Sequence, residues 1–139
     1  MTANKMQSKK MRKDEYLNYL RKAKELESVM QTALLKSNWD AAALNALHAA
    51  ILANDALLIF FHGIKSNSQK HDDAVKLLTY LMKSSDAQKY SRHLRKLINE
   101  KSVVSYTGKL LSPGKSKELC THAQRFITWV NSLLPETGF

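Results

Sequence analysis

The stretch Asp40–Ile64, DAAALNALHAAILANDALLIFFHGI, decides the fold. It holds two acids and no lysine or arginine, and apolar residues surround its helical projection. A helix that is apolar nearly all round is a core helix, covered on most faces by its neighbours. Its polar residues are not scattered. Asn45, His48, Asp55 and His62 stand at spacings of three and seven, with Leu52 and Ile59 in the gaps between them. At 3.6 residues per turn these six positions form one narrow stripe. Such a stripe is expected to be buried or to line a crevice, and to need partners there.

Helical periodicity continues on both sides of this segment. A first helix is expected from about Asp14 to Lys36, with Tyr16, Leu20, Ala23, Leu26, Met30, Ala33 and Leu34 inward. Asn38 is placed to cap the central helix through its side chain, and Gly63 to close it in the left-handed conformation. A polar loop, Lys65 to Lys70, leads to a third helix from His71 to Lys83, with Asp72 and Asp73 at its positive end. A fourth helix covers about Ala87 to Tyr106. The fifth begins at Ser112-Pro113, presents Leu119, Ala123, Phe126, Ile127, Val130 and Leu133 or Leu134 inward, and stops at Pro135. The expected class is all-α, an up-and-down bundle of four to five helices in one domain, 14–135. A basic, flexible extension (1–13) and a short tail (136–139) flank it.

Composition agrees with this class. A chain of 139 residues can build a core without staples. Four Gly and two Pro are too few for the dense turns of an all-β fold. Lysine and arginine number 22 against 12 acids, a formal charge of +10, which favours polyanions: nucleic acid, an acidic protein or an anionic surface. The alternative is a basic surface with no such partner. The single cysteine, Cys120, excludes an internal disulfide and a multi-cysteine zinc site, and lies on a helical face that suits a small buried hydrophobe. Residues 1–15 lack the apolar segment of a secretory signal, and the central helix is too polar for a lipid-facing span. A cytoplasmic location, with no membrane contact, is therefore expected.

The fourth helix carries an unusual lysine. Tyr90, Leu94, Leu97, Ile98 and Val104 form its inward arc, and Lys101 and Ser105 project into that same arc. Lys89, Arg92, Arg95 and Lys96 lie on the opposite face. From Ala87 to Lys109 there are six basic residues and one acid, Glu100. Lys101 either snorkels to water along the helix edge or pairs with a carboxylate across the bundle, for which Asp55 is the candidate.

The run from Asn45 to Ala56, the segment His71-Asp72-Asp73-Ala74-Val75, and the segment Lys101 to Tyr106 together resemble the HEPN (higher eukaryotes and prokaryotes nucleotide-binding) superfamily. The likeness is to its small stand-alone bacterial members, with Asn-Ala-x-x-Ala, Ala-x-Asp-Ala, a loop His and a late basic residue followed by Tyr. It spans roughly Leu17 to Leu134. It implies a helical bundle that commonly pairs into a homodimer. Many members are metal-independent RNases using Arg-x(4 to 6)-His, the arginine steadying a phosphate and the histidine serving acid–base chemistry. Others act as binding or antitoxin-like scaffold modules. This chain departs from the catalytic pattern: Lys101 stands near the usual Arg and Ser105 near the usual His. No arginine precedes any of the five histidines at that spacing. Lysine also lacks the bidentate fork of arginine.

The resemblance and the charge together lead to a module that binds RNA, a nucleotide or a partner that handles them, without the usual RNase activity. Its expected surface is Asn45, His48, Asp55, Arg92, Arg95, Lys96, Lys101, Ser105 and Tyr106. One alternative is an atypical RNase using His48 or His71; the other is an interaction scaffold for an acidic partner. No metal site, cofactor or Gly-rich phosphate loop is expected.

Overall fold

The computed structural model describes residues 7–67 and 72–139. Six helices account for most of them: α1 (Tyr16–Leu35), α2 (Trp39–His62), α3 (Asp72–Leu81), α4 (Ser85–Asn99), α5 (Lys101–Tyr106) and α6 (Pro113–Leu133). The fold is an all-α bundle. At one end, Ser116 on α6 donates from Oγ to the Trp39 carbonyl (2.6 Å), and Leu111 N–H donates to the Asp40 carboxylate (3.1 Å). These bonds bring the starts of α2 and α6 together, beside the end of α1. The Lys115–Glu100 ion pair (3.1 Å) brings the end of α4 to the same place. Helices α1 and α4 therefore run toward this end, and α2 and α6 away from it.

As its composition dictates, α2 lies at the centre. Thirteen of its residues are buried, from Ala42 to Ile59, and α1 and α6 make its largest contacts. By length and composition α2 would suffice to cross a membrane, with a mean hydropathy of 1.6 over its most apolar window. However, 61% of that window is covered by the rest of the bundle. The alanines at 42, 43, 46, 49, 50, 53 and 56 let neighbouring helices approach closely and leave little void. Cys120 packs into the same core, where burial pushes its thiol up to about 11 and makes it a poor nucleophile at neutral pH.

The helix ends show where local chemistry decides. Ser84 and Ser112 each accept a backbone N–H at an N-terminus, from Ala87 and Lys115, and Pro113 takes the tolerated first position of α6. Asn38 does not cap through its side chain; its backbone carbonyl instead accepts the Ala42 N–H. Helix α1 ends in a Schellman motif. Asn38 N–H reaches the Ala33 carbonyl, Ser37 N–H reaches that of Leu34, and Ser37 takes the left-handed conformation at φ 58. Gly63 closes α2 at φ 65, as its position implies.

Two features depart from expectation. Ser8–Lys10 (β1), inside the basic N-terminal segment, pairs antiparallel with Ile64–Ser66 (β2) at the start of the expected loop. Lys9 thereby stands opposite Lys65, a like-charge pairing that the Gly63–Met11 and Gln7–Asn67 backbone bonds help to hold. Second, the expected fourth helix breaks at Glu100, so Lys101 to Tyr106 form a separate short helix on α2. Of the two expected alternatives Leu133 and Leu134, it is Leu134 that turns inward.

Candidate nucleotide-binding groove

The polar stripe of α2 does not form one buried seam. Asp55 is buried, at 6% exposure, whereas His48 and His62 face solvent and Asn45 is half-covered. The reason lies in what packs beside each half of α2. From Ala53 to Ile59 the helix is enclosed on all sides, but the face carrying Ala41 and His48 is left open, as is the end at Phe61 and His62. Asn45 spends its amide on the Ala41 carbonyl one turn back (2.8 Å). Among the described residues, Lys65 from β2 is the charge that acts on Asp55; burial outweighs it and pushes the carboxyl up to about 6. Lys101 acts instead on His48, whose pKa is lowered first by burial and then by that ammonium. The expected Asp55–Lys101 pair is thus replaced by two separate relations, because the break at Glu100 redirects α5.

The remaining sequence-derived residues scatter. Lys101 lies 5.7 Å from the Tyr106 ring, which is 75% exposed. Ser105 keeps its hydroxyl buried without a partner among the described residues. Arg92, Arg95 and Lys96 are exposed on α4; Arg95 approaches Asp72 of α3 at 3.8 Å, and Lys96 acts on His122 of α6. His71 lies outside the described residues. The α4 cations therefore turn toward α3 and α6 rather than toward the stripe.

A groove lies instead between α4 and α6. The two helices run antiparallel and meet in three rungs. Glu100 pairs with Lys115 at one end. In the middle, the Nδ1 atoms of His93 and His122 lie 2.9 Å apart, so one ring donates its Nδ1–H to the lone pair of the other. At the far end Tyr90 stacks on Trp129, with centroids 5.2 Å apart and planes at 7°. Beside the last two rungs opens a cavity of about 530 Å³, walled by Lys89, Tyr90 and His93 from α4 and by Arg125, Thr128 and Trp129 from α6. Its size lies within the range of small-ligand sites, and its aromatic floor carries polar and cationic edges.

Charge around this groove is unbalanced. Burial lowers the pKa of His93 first, followed by His122, Arg125 and Lys89. Burial also leads for His122; Glu118 raises its pKa, while Lys96, Arg125 and Lys115 lower it. Lys115 holds Glu100 at 3.1 Å and Glu118 at 3.5 Å, and Glu118 also comes within 4.0 Å of His122 Nε2. Among the described residues, no carboxylate comes within 4 Å of Lys89, Lys96 or Arg125. Lys89, Arg125 and His93 thus line the opening, with Lys96 and His122 acting from beside it.

Sequence reasoning assigned Lys89 to the solvated face and passed over His93 and His122. Their signal was faint. His93 lies three residues after Tyr90, and His122 three after Leu119 and four before Phe126, so each borders an apolar arc. Only the antiparallel register of two helices about thirty residues apart makes them a pair. Compared with known protein families and with curated proteins, the sequence matches none.

Proposed function

We propose that this protein is a HEPN-like helical module that binds RNA or a nucleotide through its α4–α6 face. The observation that carries this reading is the cavity beside the His93–His122 pair, edged by Lys89 and Arg125 and floored by aromatic rings. Phosphates would meet the cations, and a base or sugar would lie against Tyr90 and Trp129, a combination general to nucleic-acid and nucleotide sites. The net charge of +10 supports the same choice, since it draws polyanions toward the whole molecule.

Binding rather than cleavage is the activity proposed. In phosphoryl transfer the base and the acid stand on opposite sides of the phosphorus. His93 and His122 are tied to one another instead. The arginine–histidine spacing of the catalytic family pattern is also absent from the sequence. Fluorescence anisotropy with labelled single-stranded RNA at low salt tests the reading. Affinity is expected to fall steeply with salt. The Lys89→Ala/Arg125→Ala protein is expected to show a shallower salt slope, by about 0.7 for each phosphate it no longer neutralises. Absence of affinity for both RNA and mononucleotides at low salt would refute the proposal.

A further inference from the structure

Resting on that reading, the groove has a more particular chemistry than a basic surface. We propose that the histidine end of this groove is a receptor for a terminal phosphate group, of a free nucleotide or of an RNA end, held by Lys89, Arg125 and His93, which is backed by its bond to His122. A phosphate within a nucleic-acid strand carries one charge and is flanked by sugars on both sides. A terminal phosphate carries about −1.5 to −2 near neutrality and offers three free oxygens. The histidine rungs are half-buried, with the His122 side chain 19% exposed. A chain end reaches such a recess more readily than the middle of a strand.

The histidine pair suits this ligand because its charge is adjustable. With one proton between the two Nδ1 atoms, each Nε2 stays outside the shared bond, that of His122 standing 4.0 Å from the Glu118 carboxylate. A further proton can settle on the donor ring's Nε2 without breaking the Nδ1–Nδ1 bond, and it makes that bond charge-assisted. The surroundings oppose that proton while the groove is empty: Lys89 and Lys96 from α4, Lys115 and Arg125 from α6, against Glu118 alone in its favour. A dianion entering the groove reverses the balance. It accepts hydrogen bonds from Lys89 and the bidentate fork of Arg125, and its second charge is met by the proton that the pair takes up. Gln124, at the groove wall, is already occupied by Glu27 of α1 (2.6 Å) and so positions the wall rather than contacting the ligand.

The test compares matched ligands on the intact chain. Oligoribonucleotides of one sequence bearing a 5′-phosphate, a 3′-phosphate or hydroxyl ends are titrated at pH 6.5, as are AMP and adenosine, with inorganic phosphate as competitor. Phosphorylated forms are expected to bind roughly tenfold or more tightly than their hydroxyl counterparts. Preference confined to AMP assigns the free nucleotide as source, and preference among the oligonucleotides assigns the RNA end. Calorimetry in two buffers of different ionisation enthalpy is expected to show net proton uptake with AMP. His93→Gln and Lys89→Ala, checked for folding by circular dichroism, are expected to reduce the preference, and only His93→Gln to abolish the proton uptake. Equal affinity for phosphate and hydroxyl ends, with RNA binding retained, overturns the receptor while leaving the proposed function intact. Loss of all binding by the unmodified chain overturns both.

Discussion

Asp55 on α2 and the His93–His122 pair between α4 and α6 are both titratable groups drawn out of water, and they teach opposite lessons. Asp55 is enclosed by the core, makes no hydrogen bond to a described residue, and responds to burial by holding its proton up to about pH 6. The histidines border an open groove, satisfy each other, and respond to burial and to neighbouring cations by shedding theirs. Burial alone therefore does not mark a binding site. An uncompensated charge becomes functional where a ligand can reach it; inside the core it only weakens the fold.

The sharpest way to break this comparison is Asp55→Asn. The folded carboxyl titrates at about 6 against 3.8 unfolded, so the folded state binds the proton more tightly, and stability is lost as pH rises through 6. A shift of about two units corresponds to roughly 3 kcal/mol. The variant is expected to be more stable than the parent by about that amount at pH 8 and nearly equal to it at pH 4, in urea unfolding at each pH. Equal effects at both pH values would mean that the carboxylate is compensated in the native state.

Asn54, one residue earlier, extends the contrast without charge. It is 1% exposed, and both atoms of its amide lack partners among the described residues. An unsatisfied buried amide costs about 1–3 kcal/mol, so Asn54→Leu, of the same branched shape but larger, is expected to raise stability by about 1 kcal/mol after the cost of its added bulk. A loss of stability on thermal unfolding would point to a water bridge at this position.

The groove should show the opposite pH response. The folded pKa values of His93 and His122 are lowered, so the unfolded state protonates first, and stability falls as pH drops below about 6.5. Each ring can contribute at most about 1.4 kcal/mol per pH unit, and solvent screening at this half-open site keeps the effect below that bound. Replacing His122 with Gln is expected to flatten the curve between pH 7 and 5. In the parent, Asp55 and the histidines oppose each other over this range, so the histidine slope should emerge most clearly in the Asp55→Asn background. The smallest effect concerns neither region. Ser37 holds φ 58 at the end of α1, and Ser37→Gly should stabilise by about 0.5–1 kcal/mol by relieving the left-handed strain.

Much of this molecule was legible before any coordinates. The apolar run of α2 required a central helix, the 3.6-residue spacing of α1 and α6 identified their buried faces, and Ser112-Pro113 and Gly63 marked ends that the structure keeps. These are local properties, since a helix satisfies its backbone within four residues and its buried stripe repeats with its own period. The candidate site was far less legible. Asn45, His48, Asp55 and Lys101 were grouped by projecting uninterrupted helices, and one break at Glu100 separated Lys101 from Asp55.

Tertiary structure alone decided which side chains meet. The pairing of Ser8–Lys10 with Ile64–Ser66 joins segments more than fifty residues apart. The rungs Glu100–Lys115, His93–His122 and Tyr90–Trp129 exist only in the register that core packing imposes on α4 and α6. Periodicity says which face of a helix turns inward. Which residue of a distant helix it meets depends on how the side chains of both interlock, and that is a property of the assembled core.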